Sequence, residues 1–234
     1  MTEFIHNPFD RSIQPSFLYP EYKSTILRAP SKPLIPIKLA LKDLTKPVFG
    51  DFNLGSLDHD LTKNSIKNAE PLGERIVVHG KVIDEYGFPI PNTLIEIWQA
   101  NAAGRYIHKI DQHQAPLDSN FLGAGRCMTD DQGNYKFYTI KPGAYPWGNH
   151  HNAWRPNHIH FSLFGQNITQ RLVTQMYFPG DPLLQFDPIF LSVPPKGRDL
   201  LIASFDLSLT EPNFALGYRF DIVLRGYHST PFSN

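Results

Sequence analysis

Arg75 to Ile83 reads RIVVHGKVI, and after Asp84-Glu85-Tyr86-Gly87 and a short connector it is followed by Thr93 to Gln99, TLIEIWQ. Both segments are dense in β-branched residues, and the glycine between them can supply the positive φ of a tight turn. They read as two strands. The same grammar recurs outward along the chain. Asp130-Asp131-Gln132-Gly133 is a second turn, and Asn134 to Ile140, His158 to Phe164, Arg171 to Phe178, Leu200 to Leu207 and Tyr218 to Leu224 are further strand candidates. With 21 prolines and 16 glycines, uninterrupted helix-length segments are scarce. The expectation is an all-β chain, an antiparallel sandwich or barrel with long irregular loops.

Residues 1–72 differ in texture. They are proline-rich and carry Phe17, Tyr19, Tyr22, Phe49 and Phe52, so they read as an extended N-terminal arm that wraps over the rest. Residues 73–234 form the expected β-sandwich catalytic unit. A second unusual stretch, Lys141 to Asn157 (KPGAYPWGNHHNAWRPN), is too aromatic and histidine-rich for a plain connector, and chemistry is expected there.

Composition excludes several classes. The 22 basic and 22 acidic residues give zero formal charge, which disfavours nucleic acid and anionic membranes as partners. The start, MTEFIHNPFDRSIQPSF, has no basic region followed by an apolar run, and no stretch approaches the roughly 20 apolar residues of a membrane span, so a soluble, cytoplasmic protein is expected. Cys127 is the only cysteine, which rules out an internal disulfide and a thiolate metal cluster and reads as a small buried apolar side chain. Asn167-Ile168-Thr169 matches a glycosylation sequon by chance in such a chain.

Asn157-His158-Ile159-His160-Phe161 holds a candidate pair of metal ligands. A strand's period of two puts both imidazoles on one face, where they can share a metal or simply face solvent. His150 and His151, adjacent and in a loop, point apart and read as solvated. Structural zinc would need cysteines, and a ferrous 2-His-1-carboxylate site would need an Asp or Glu that is absent between Ala144 and Gln166. Tyrosine remains as a donor, from Tyr145 just upstream and Tyr106 after the Trp98 strand. A phenol of pKa about 10 becomes a ligand only beside a strongly charged ion, which selects a trivalent metal.

Three segments, Trp98 to Tyr106 (WQANAAGRY), Lys141 to Trp147 (KPGAYPW) and Trp154 to Phe161 (WRPNHIHF), resemble the signature segments of the intradiol ring-cleaving dioxygenases. The resemblance covers most of the chain, including the arm from Arg11 to Pro36. It implies a β-sandwich and one ferric ion, Fe(III), per chain, with Tyr145 and His160 axial and Tyr106 and His158 equatorial. Carried over by position, Arg155 lies beside the bound ring, Gln175 and Trp147 line the pocket, Ile189 and Trp98 shape it, and Tyr22 meets a substrate carboxylate. Tyr145 would be a mobile ligand that accepts a substrate proton. The implied reaction is cleavage of protocatechuate (3,4-dihydroxybenzoate) by dioxygen to 3-carboxy-cis,cis-muconate, in aromatic catabolism by the β-ketoadipate pathway. The implied partner is a homologous α chain that lacks the iron ligands and completes a hetero-oligomer. Catechol or hydroxyquinol are alternative substrates. A metal-free β-sandwich binding module is the alternative of another class, and it would stay colourless with ferric iron.

Overall fold

The computed structural model describes residues 10–35, 53–164, 171–224 and 226–233. Phe49, Phe52 and the sequon Asn167-Ile168-Thr169 lie outside them. The first sheet is organised on β1 (Arg75–Ile83) and β4 (Asn134–Ile140), which pair antiparallel from Arg75↔Ile140 to Lys81↔Asn134. The second has the order β3-β2-β7-β8, with β2 (Leu94–Trp98), β3 (Ala124–Met128), β7 (His158–Phe164) and β8 (Leu172–Tyr177) all antiparallel. A two-stranded ladder, β5 (Tyr145–Pro146) with β6 (Trp154–Arg155), stands apart from both. The turns at Gly87 and Gly133 form as expected, closed by amide bonds to Asp84 and Asp130 with φ of +83° and +72°.

Two expected strands take a different form. Tyr218 to Leu224 is split between β10 (Leu216–Arg219) and β11 (Ile222–Val223), both parallel to β1, so the first sheet is mixed rather than purely antiparallel. The break falls where the Asp221 side chain accepts the Lys81 amide, taking up a donor that a continuous ladder would have used. Leu200 to Leu207 yields only β9 (Ser204–Phe205) between two 3-10 turns, because Asp206 accepts the Ser208 amide and caps the second turn. β3, with its glycine and arginine, carries too little β-branched signal to be legible, and β5 and β6 are too short.

The core lies between the sheets. Ile76, Val78 and Val82 of β1, with Tyr135 and Phe137 of β4, meet Ile95 and Ile97 of β2 and Ile159, Phe161 and Leu163 of β7. One long edge is laced by residues 58–61: Asp58 O accepts the Arg126 amide of β3, while His59 O and the Leu61 amide bond Tyr138 of β4. Leu61 is fully buried in the same core. Cys127 is buried there too, and burial pushes its thiol up to about 12, consistent with an inert apolar role. Among the described residues no helix is long and apolar enough to cross a membrane.

The second sheet positions the site. Residues opposite one another in an antiparallel pair share a face. Ile159, Phe161 and Leu163 point into the core, so His158 and His160 point to the other face. Register then places Trp98 opposite His160 on one side, Gln175 opposite His160 on the other, and Tyr177 opposite His158.

Candidate metal centre

Two loops bring tyrosines over that face. Tyr106 ends a loop wound around the buried Asn101, whose Oδ1 accepts the Ala103 and Arg105 amides and whose Nδ2 donates to Pro116 O. Tyr145 opens the β5–β6 hairpin. The two loops pack backbone to backbone, with the Gly143 amide bonded to Asn101 O. Gly104 has φ +78°, and a Cβ there would sit 2.1 Å from Ala144 O. Only glycine permits both the conformation and the approach.

The side chains singled out from the sequence as metal donors converge. The rings of Tyr106 and Tyr145 lie 5.4 Å apart edge-on, those of Tyr145 and His158 5.5 Å apart, and those of His158 and His160 4.8 Å apart. Tyr106 also faces His160 at 6.4 Å. His158 Nδ1 lies 2.7 Å from Pro156 O, which fixes the proton there and leaves Nε2 as a lone-pair acceptor 3.3 Å from Tyr145 Oη. Trp98 stacks flat on His160, 4.8 Å between centroids and 1° between planes, locking that ring.

Burial keeps both imidazoles neutral. It pushes His160 down to about 3 and His158 well below the ordinary histidine value, and the nearby Arg155 charge acts in the same direction. Burial also raises the phenols, Tyr106 strongly and further through its neighbour Tyr145, whereas at Tyr145 the Arg155 charge opposes the rise. The Tyr106 hydroxyl is buried and makes no hydrogen bond of good geometry, with the Tyr145 hydroxyl its one polar neighbour close enough to act on it. An unsatisfied buried hydroxyl is uncommon and marks a place where something else binds.

Arg155 stands opposite Tyr145 on the hairpin, buried, with its guanidinium 5.6 Å from the Trp147 ring. Its Nη2, with two hydrogens to share, lies 2.5 Å from Gln175 Oε1, 3.1 Å from Asp187 Oδ2 and 3.2 Å from Tyr177 Oη, and its Nε donates to Asp187 Oδ2 at 3.3 Å. Asp187 and Tyr177 were not singled out from the sequence. Asp187 before Pro188 is readable as a helix cap, and it does accept the Ile189 amide, but its pairing with an arginine 32 positions away is set by the fold.

Gln175 and Trp147 are brought to the site, Trp147 with a buried indole N–H that has no partner. Ile189 is buried in the one-turn helix Pro188–Leu191 and lines a small cavity with Gln175, Tyr177 and Phe232. Tyr22 reaches the site from the arm, its ring 5.5 Å from Trp147 and capped by the Arg28 guanidinium at 5.0 Å. His150 and His151 are exposed at the hairpin tip.

Comparison with known proteins shows the family. The family described as "Dioxygenase" matches residues 44–226, and one described as "Protocatechuate 3,4-dioxygenase beta subunit N terminal" matches residues 8–38. The chain belongs to the intradiol ring-cleaving dioxygenases and is an enzyme of that family. Among its relatives, the protocatechuate 3,4-dioxygenase beta chain of Burkholderia cepacia is 65% identical over 227 residues, covering 97% of each chain. The corresponding alpha chain of Pseudomonas putida is 30% identical, covering 86% of this chain and 91% of its own length. The crystal structure of 3-chlorocatechol 1,2-dioxygenase from Rhodococcus opacus shares the fold, with a TM-score of 0.55 at 24% identity over 76% of this chain and 69% of that one.

Proposed function

We propose that this chain is the iron-bearing β chain of a cytoplasmic enzyme that cleaves protocatechuate between its two hydroxylated carbons to 3-carboxy-cis,cis-muconate. One ferric ion per chain would be held by Tyr106, Tyr145, His158 and His160. The observation that carries the reading is the convergence of the buried Tyr106 hydroxyl, a second tyrosine and two neutral histidines. The donor set fits that ion. Among the described residues no three His, Cys, Asp or Glu gather into a metal site, so a metal here must recruit the phenols. Burial opposes phenolate formation at both tyrosines, and a strongly charged cation is what reverses it.

A bound ferric ion supplies the electronic coupling that lets a singlet catechol react with triplet dioxygen. The residues do the rest. His158 and His160 are pre-oriented by Pro156 O and by Trp98, so they offer lone pairs without rearrangement. Held as a phenolate by that ion, Tyr145 Oη would accept the proton of one catechol hydroxyl, and Tyr106 would keep its role as a donor. Arg155, fixed by Asp187, Gln175 and Tyr177, offers a permanent positive charge to the negative charge that builds on the ring. Gln175 and Trp147 line the pocket, Ile189 and Trp98 shape it, and Tyr22 meets the substrate carboxylate.

The partner is a homologous α chain in a hetero-oligomer, supported by likeness to both a β chain and an α chain of protocatechuate dioxygenases. Oxygen uptake by the co-expressed, iron-loaded pair tests the activity: stoichiometric conversion of protocatechuate is expected, and no uptake with iron bound would refute it. Tyr22→Phe should raise KM for protocatechuate and leave catechol, which has no carboxylate, unchanged.

A further inference from the structure

The β5–β6 hairpin carries Tyr145 and Arg155 at its base, Trp147 midway, and Asn149 toward its tip. The Trp147 amide donates to Ala153 O and the Ala153 amide to His150 O, so the tip is closed on itself. Asn149 is buried although Gly148 and His150 on either side are exposed. Its carboxamide points across to the arm. Nδ2 donates to Glu21 O at 2.7 Å, and Oδ1 accepts the Lys23 amide at 3.0 Å. These two backbone groups flank Tyr22. The side chain therefore acts as a surrogate peptide unit, reading one acceptor and one donor on either side of the residue whose ring rests on Trp147.

The arm segment it grips is already shaped. Thr25 is fully buried, its Oγ1 lies 2.8 Å from both Tyr19 O and Tyr22 O with one hydrogen to give, and it accepts the Tyr19 amide, while the Tyr22 amide donates to Tyr19 O. Tyr22 thus sits in a preformed turn joined to the hairpin by the Asn149 pair and the Tyr22–Trp147 ring contact. Lower down, Gln14 ties the arm to Ser229, Thr230 and Phe232 independently.

We infer that Asn149 is a positioning residue for substrate specificity: it docks the Tyr19–Thr25 turn on the catalytic hairpin and so sets Tyr22 at the carboxylate end of the pocket. The inference rests on the proposed role of Tyr22. The geometry explains the residue type, because aspartate keeps only the acceptor, alanine neither group, and glutamine places both about one carbon too far out.

The test uses the assembled, iron-loaded enzyme with Asn149→Ala and, should that variant fold poorly, Asn149→Asp. If the docked turn becomes a minority conformer, apparent affinity falls by the docked fraction. KM for protocatechuate is expected to rise roughly tenfold with kcat within about twofold and with catechol unaffected, a size suited to losing two neutral hydrogen bonds. In a Tyr22→Phe background the Asn149 substitution should add nothing. Amide exchange reads the docking without catalysis: the Lys23 amide should lose protection while those of Tyr22, Thr25 and Ala29, bonded within the arm, keep theirs. Unchanged Lys23 protection, equal KM rises for both substrates, or additivity with Tyr22→Phe overturns the inference. A Tyr22→Phe enzyme with normal KM for protocatechuate overturns the role of Tyr22 and with it the specificity claim, and exchange at Lys23 then decides the docking alone.

Discussion

Replacing Asp187 by asparagine isolates the charge that holds Arg155. The carboxylate is fully buried, the guanidinium side chain is 4% exposed, and Nε and Nη2 both donate to Oδ2 at 3.3 and 3.1 Å. Removing one partner of such a pair leaves an uncompensated buried charge, at about 3–5 kcal/mol. Asparagine has a single oxygen, so it can keep the Ile189 amide only by turning its Nδ2, itself a donor, toward the guanidinium, and Asp187→Asn should cost about 3 kcal/mol or more. Asp187→Ala also loses that helix cap, about 1 kcal/mol more. Urea unfolding at fixed protein and iron concentration measures both. The double variant Asp187→Leu with Arg155→Leu should lose less than the sum of the single changes, because neither charge is then stranded. An Asp187→Asn cost under about 1 kcal/mol, or strict additivity in the cycle, would refute the reasoning.

Three further outcomes follow from the same geometry. His158→Ala should lose iron by elemental analysis while keeping its fold by circular dichroism, since the residue's ring faces away from the core. Tyr145→Phe should retain iron yet bind protocatechuate slowly in stopped flow, because the internal proton acceptor is gone; normal binding kinetics would remove Tyr145 from that role. Gly104→Ala should destabilise by about 1–2 kcal/mol from its positive φ alone and more from contact with Ala144 O, shifting Tyr106 and weakening iron retention.

The sandwich and the histidine pair were legible because both rest on local periodicity. RIVVHGKVI is dense in β-branched residues and NHIHF alternates, neither signal needing tertiary context, and β1 and β7 run over those residues. What escaped depends on distant contacts. The split at Phe220–Asp221 requires knowing that Asp221 takes the Lys81 amide, and Asp187 becomes part of the site only when Pro188–Leu191 folds back on Arg155. Asn149 sits in a loop without periodicity, and its partners are more than 100 positions away in the arm. The tyrosines were intermediate: elimination of cysteine and carboxylate donors pointed to them, and family resemblance gave their roles.

The proposed chemistry rests on phenolate ligation of a ferric ion by Tyr106 and Tyr145. The visible absorption of the iron-loaded chain tests it most directly, because tyrosinate bound to ferric iron gives a charge-transfer band that histidine ligation alone does not. One iron per chain with a strong visible band is expected, and Tyr106→Phe combined with Tyr145→Phe should abolish the band with His158 and His160 in place. A colourless iron-loaded chain, or a band unchanged in the double variant, would contradict the assignment.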